Sequence, residues 1–209
     1  MPLLYLLRHG EIDWPRRDCF IGHTDAPLSS AGRDQILAWR DHFRDLAFGA
    51  VWSSDLLRAV QTAELLSPGR ESHIRTNREL RELNLGEWEG LPRDQVRAAH
   101  PDLWKARGED LAGFHPPGGE SFSELQSRAV SCIHRICAEE LERILIVTHA
   151  GVIRILVCMI LEVPISNLFR IHIDYAGLTI IDFKHAVPIR AVNALPIGKA
   201  NTAYPRHIS

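Results

Sequence analysis

Leu3-Leu4-Tyr5-Leu6-Leu7-Arg8-His9-Gly10-Glu11 is a short apolar run that closes on a cation, an imidazole and a glycine. Its length and unbroken hydrophobicity suit a strand buried on both faces, as in a parallel sheet covered by helices. Ligands of open α/β sheets bind beyond the carboxyl ends of the strands, so Arg8 and His9 are delivered to the place where a site is expected. Gly10 permits a sharp turn and a close backbone approach. On this stretch alone, a strand whose polar end merely meets solvent is the competing account.

Arg143-Ile144-Leu145-Ile146-Val147-Thr148-His149-Ala150-Gly151 repeats the design, and an apolar helix over 152–161 follows it. The amides around Ala150 and Gly151 then form a helix N-terminus, a position that binds anions. Residues 50–53 read as another short strand. Leu56, Val60, Ala63 and Leu66 mark one face of a helix after it, capped by Ser54 or Asp55, with Arg58 in its first turn. Arg58 is therefore a candidate anion ligand; the bland alternative is a solvated arginine pairing with Asp55 or Glu64.

The remaining stretches supply further elements. Ser29 caps a helix to about residue 46, and 73–76 reads as a strand. One or two short helices over 91–111 are broken by Pro101 and Gly108, and Ser121-Phe122-Ser123-Glu124 is a capping box opening a helix to about 141. Strand-like runs at 171–173, 179–183 and 189–192 suit sheet edges, residues after Leu195 read as loosely ordered, and Glu87 and Glu89 read as solvated carboxylates.

Composition narrows the class. A chain of 209 residues with 45% hydrophobic content and no repeat or linker is expected to form one domain, 1–209, of a mixed α/β kind. The formal net charge of −2, with no Lys/Arg cluster, argues against nucleic acid and membrane surfaces as partners. Cys19, Cys132, Cys137 and Cys158 show neither a CxxC pair nor a His/Cys metal-ligand spacing and read as reduced thiols of a cytoplasmic protein. The chain reaches Arg8 too soon for a secretory signal, and the apolar region 144–165 contains His149, Arg154 and Glu162, which favours a buried strand and helix over a membrane span.

His9, His149, Arg8, Arg58 and a helix N-terminus can thus converge on one sheet edge. Guanidinium forks match phosphate oxygens, and a neutral imidazole between them is a nucleophile toward phosphorus. Cleaving an ester also needs a proton for the leaving alkoxide, an effect worth roughly 10²–10⁴ in rate.

Four segments carry a resemblance: Leu7-Arg8-His9-Gly10-Glu11, Ser53 to Ala63 (SSDLLRAVQTA), Leu80 to Gly90 (LRELNLGEWEG) and Val147 to Arg154 (VTHAGVIR). In this order and spacing they resemble the histidine phosphatase superfamily, also called phosphoglycerate mutase-like, over residues 3 to about 193. The resemblance implies a three-layer α/β/α fold with a mostly parallel central sheet and a phosphohistidine intermediate formed without metal. It makes His9 the nucleophile, gives Arg8, Arg58 and His149 the phosphoryl oxygens, and makes Glu82 the proton donor and later the activator of water. Ala150, Gly22 and His23 complete the expected substrate contacts.

Two positions depart from the family's first motif. Ile12 and Pro15 stand where it usually has a hydroxyl residue and an asparagine, so one phosphate donor is missing and Arg16, Arg17 or His23 is the expected substitute. Ile21 before Gly22 and a short insertion between Glu82 and Pro116 favour a phosphatase over a mutase. Gly22-His23 and Pro117-Gly118-Gly119-Glu120-Ser121 are most similar to alpha-ribazole-5'-phosphate phosphatases of cobalamin biosynthesis. The implied partner is a small phosphorylated substrate, with a homodimer left open. The alternatives are a phosphoglycerate mutase and a catalytically weak phosphate-binding domain. A histidine-metal hydrolase is disfavoured because no HExxH-like spacing occurs among the eleven histidines.

Overall fold

The computed structural model describes residues 2–16, 18–44, 46–67, 69 and 73–196; Arg17 and most of the tail expected to be loosely ordered lie outside them. The opening run forms β1 (Leu3–Arg8) and its echo forms β4 (Arg143–Thr148). With β2 (Ala50–Ser53), β3 (Ile74–Thr76), β5 (Leu178–Asp182) and β6 (Ile189–Ala194) they make one sheet in the order β3-β2-β4-β1-β5-β6. β1–β4, β2–β4 and β2–β3 pair parallel, whereas β5 and β6 continue the sheet antiparallel.

β1 is a continuous apolar run because both of its faces are covered. Tyr5 and Leu7 join Ile36, Trp39 and Phe43 of α1 (Ser30–Phe43) and Ala59 and Ala63 of α2 (Leu57–Leu66). Leu4 and Leu6 point the other way, into a core with Leu125 and Ile133 of α5 (Phe122–Cys137) and Ile153 and Val157 of α6 (Ala150–Ile160). Each fully buried Leu or Ile contributes about 1.5–3 kcal/mol. The result is the expected three-layer α/β/α arrangement, and the apolar region around His149 is β4 followed by α6. Among the described residues no helix is long and apolar enough to cross a membrane.

Helix starts follow the sequence in two places. Ser29 Oγ accepts from Gly32 N at 3.0 Å, and Ser121 and Glu124 make a reciprocal capping box. Elsewhere tertiary contacts override local signals. Neither Ser54 nor Asp55 caps α2; its Leu57 N–H donates to Asp25 Oδ1 at 2.6 Å, from a distant loop. Pro101 begins α4 (Pro101–Glu109) after α3 (Arg93–Ala99), but Gly108 does not break α4, because it lies in the last turn with no atoms crowding it. The predicted strand at 171–173 is irregular: the Ile171 and Ile173 carbonyls accept from Arg154 Nε and Arg8 Nη1, both at 2.8 Å, instead of a neighbouring strand. β5 is an interior strand, not an edge, and α5 stops at Cys137.

Candidate active site

Register creates the site. β1 and β4 run parallel with Arg8 opposite Thr148, so their carboxyl ends finish level, and His9 N donates to Thr148 O at 3.1 Å. The His9 and His149 rings lie 5.0 Å apart and are 4% and 0% exposed. β2 ends at the same edge, with Ser54 N bonded to Val147 O, and α2 rises from there to deliver Arg58, which is 1% exposed. The Arg58 Nε donates to His9 Nε2 at 3.2 Å, and its other nitrogens donate to Thr24 O at 2.8 Å and Gly22 O at 2.5 Å. Pairing with Asp55 does not occur, because Asp55 holds Arg81 at 2.6 Å.

The imidazole of His9 has a defined tautomer. Its Nδ1 lies 2.8 Å from Gly10 O, which requires the proton on Nδ1 and leaves the lone pair on Nε2. Burial, then the Arg58 and Arg8 charges, hold His9 well below the usual histidine range, and burial with Arg58, His9 and Arg8 does the same to His149. Both rings are neutral near pH 7. Among the described residues, neither ring nitrogen of His149 has a hydrogen-bonding partner, nor does the buried Arg8 Nε. Unpaired buried polar atoms cost about 1–3 kcal/mol each, which a bound anion can recover.

These shifts set an acid limit on stability. The unfolded chain protonates His9 and His149 below about pH 6.5 while the folded protein resists, so stability present above that pH is lost as the pH falls. Each ring contributes up to about 1.4 kcal/mol per pH unit to the slope. The melting temperature is expected to fall from pH 6.5 to 5, and H149N to show a shallower fall; an equal slope in H149N would exclude His149 as a source.

Glu82 reaches the site from the other side. Its carboxylate accepts from Gly151 N, at the start of α6, at 3.0 Å and from Leu83 N at 2.9 Å. The helix terminus expected to receive an anion is thus partly engaged by a carboxylate of the protein itself. A Cβ at residue 151 would lie 2.1 Å from Glu82 Oε1, so a side chain after His149-Ala150 would push the Glu82 carboxylate from this position. Glu82 also acts electrostatically on Arg8, Arg58 and Arg154.

Glu89, expected to be a solvated carboxylate, is instead half-buried and central. It accepts from the backbone N–H of Gly22, His23, Thr24 and Leu85 and from Thr24 Oγ1, and these bonds hold its carboxyl below the usual range against the opposing effect of burial. This is the loop whose carbonyls grip Arg58. Gly22 is enclosed as well, since a Cβ there would meet Leu83 O at 2.0 Å. Glu87 is exposed, as expected.

Arg8, Glu82, Ala150, Gly151, Arg154 and Tyr175 line a cavity of about 270 Å³. The Arg8 guanidinium stacks 3.9 Å from the Tyr175 ring centre, a contact the sequence did not signal. Phe20, Arg93, Arg107 and Phe169 line both this cavity and an outer chamber of about 630 Å³ that reaches Trp104. Gly22 and His23, expected to touch substrate, are not among the lining residues, and neither are the buried His9, Arg58 and His149; His23 Nε2 bonds Glu82 O at 3.0 Å. Of the donors expected to replace the missing asparagine, Arg16 pairs with Asp94 at 2.9 Å on the surface and His23 is engaged as just described. Among the described residues, no group of three His, Cys, Asp or Glu side chains is placed to hold a metal ion.

A neutral, tautomer-fixed imidazole ringed by guanidinium groups and a second imidazole, with a carboxylate opposite, defines a group-transfer site for an anionic substrate. The family comparison agrees: a model of the histidine phosphatase superfamily, branch 1, matches residues 4–193, and the chain belongs to that superfamily. It is a phosphoric monoester hydrolase by class. The chain is 34% identical to phosphoglycerate mutase-like protein 4 of Arabidopsis thaliana over 72% of this chain and 67% of that protein. It is 26% identical to the adenosylcobalamin/alpha-ribazole phosphatase of Escherichia coli strain K12 over 95% of this chain and 98% of that one. The alpha-ribazole phosphatase crystal structure from Shigella flexneri superposes with a TM-score of 0.83 at 28% identity, covering 95% of this chain and 100% of that one.

Proposed function

We propose that the chain hydrolyses a small organic phosphomonoester through a phosphohistidine at His9, without a metal ion, and that alpha-ribazole 5'-phosphate is its substrate. The observation that carries this reading is the His9 ring itself: Nδ1 committed to Gly10 O, and Nε2 facing Arg58 beside the His149 nitrogens, which have no partner among the described residues. Nε2 attacks phosphorus in line, forming the N–P bond as the ester P–O bond breaks. Arg8, Arg58 and His149 take the charge on the phosphoryl oxygens, with Ala150 at the head of α6 beside them. Glu82 gives its proton to the leaving alkoxide, then removes one from the water that attacks the phosphohistidine, releasing inorganic phosphate and regenerating His9.

The two relatives named for alpha-ribazole support the choice of substrate, and the chamber lined by Phe20, Trp104 and Phe169 offers room for a ring-bearing alcohol. In this reading residues 1–209 act as one cytoplasmic domain. The test is steady-state hydrolysis with EDTA present. Alpha-ribazole 5'-phosphate is expected to exceed p-nitrophenyl phosphate in kcat/KM by at least about tenfold, the scale that one favourable pocket contact supplies. Interconversion of phosphoglycerates faster than their hydrolysis would overturn the phosphatase reading in favour of a mutase. Loss of activity with EDTA, restored by metal, would overturn the metal-free mechanism.

A further inference from the structure

The stretch that carries Glu82 has an unusual mounting. Four consecutive carbonyls, Glu79 to Glu82, all accept from side chains and not from a strand: Thr148 Oγ1 donates to Leu80 O at 2.8 Å, and Arg128 on α5 donates to the other three. Arg128 Nη1 donates to Glu79 O at 2.7 Å and Arg81 O at 2.9 Å, and Nη2 donates to Glu82 O at 2.8 Å. Its remaining N–H groups make a bidentate pair with Glu120, from Nε at 2.6 Å and Nη2 at 2.8 Å. All five guanidinium donors are therefore committed, and the Arg128 side chain is only 20% exposed. Glu120 in turn accepts from Asn84 N at 3.2 Å, so the clamp grips the stretch on both sides of Glu82.

We propose that Arg128 is a positioning residue for the proton donor: it fixes the backbone from which Glu82 reaches the leaving group, and so sets the efficiency of proton delivery without touching substrate. This rests on the reading of Glu82 as the general acid. A fork of fixed donors can hold three carbonyls that no ladder holds, and neither a lysine nor an apolar side chain can reproduce that geometry. A displacement of about 1 Å in a reacting group costs on the order of 10²-fold.

Leaving-group dependence separates this role from a purely structural one. A poor leaving group such as the alkoxide of an alkyl phosphate needs the acid, whereas p-nitrophenolate departs almost unaided. In R128M, kcat/KM for glycerol phosphate is expected to fall about 100-fold, and for p-nitrophenyl phosphate less than about fivefold, at unchanged circular dichroism. R128K, which keeps the charge against Glu120 and the aliphatic stem, is expected to show the same bias at about tenfold on the alkyl ester. It supplies the comparison if R128M does not fold. E82Q is the control. If E82Q shows the leaving-group bias and the Arg128 variants lose both substrates equally, the positioning role is wrong while the acid stands. If E82Q shows no bias, Glu82 is not the acid and the proposal falls with it.

Discussion

H9A is expected to abolish turnover, lowering kcat on p-nitrophenyl phosphate by about 10⁴-fold or more while the fold is retained, because no other group can accept the phosphoryl at that position. His149 is equally buried and equally neutral, yet nothing fixes its tautomer as Gly10 O fixes that of His9, and Arg58 Nε is aimed at His9. The same comparison has a direct chemical readout. Rapid quenching of the wild-type enzyme with labelled substrate is expected to trap a phosphoprotein that is labile to acid and stable to alkali, as a phosphoramidate bond requires, and H9A is expected to trap none. A variant that turns over at the wild-type rate would exclude the histidine mechanism.

R58M is expected to carry the second-largest penalty, about 10²–10³-fold in kcat, the usual loss when one donor to a developing oxyanion is removed. It also changes the nucleophile. Burial is the largest influence holding His9 below its ordinary range and Arg58 is the next, so removing the cation lets the His9 value rise. The acid limb of the kcat/KM profile is therefore expected to move to higher pH in R58M, with activity lost on acidification sooner than in the wild type. R58K should restore the charge without the fork: it recovers the pH profile more fully than the rate, since one ammonium cannot serve His9, Thr24 O and Gly22 O together. An unshifted profile in R58M would show that Arg58 does not govern the nucleophile.

The parts of this site that could be read from the chain are those whose local pattern states their role. Leu3 to Leu7 and Ile144 to Val147 are apolar at every position because both faces of β1 and β4 are covered, so the strand ends, and with them His9 and His149, were marked in advance. Arg58 was legible as a cation in the first turn of a helix leaving that edge. Glu89 and Arg128 were not, because their function lies in backbone atoms brought to them from elsewhere. Glu89 serves N–H groups of residues 22–24, and Arg128 serves carbonyls of residues 79–82. Nothing in a neighbouring sequence position records such a debt. The same physics misplaced the strand at 171–173, whose alternating pattern is genuine but whose carbonyls are claimed by arginine side chains, and it made Asp25 the cap that Ser54 and Asp55 were expected to be.

β1 has β4 on one side and β5 on the other, and both come from the last third of the chain. On the ribosome, then, the nucleophile and its Gly10 and Arg58 partners are made early, while the strands that flank it and the second imidazole are made late. Until residue 151 has emerged there is no second imidazole beside His9 and no Gly151 amide to hold Glu82. The strand that carries the chemistry has no neighbour to pair with until then. Closing so long a loop is slow relative to helix formation. A nascent or prematurely ended chain therefore holds an arginine-histidine pair without an active site, and catalytic competence is tied to completion of the central sheet.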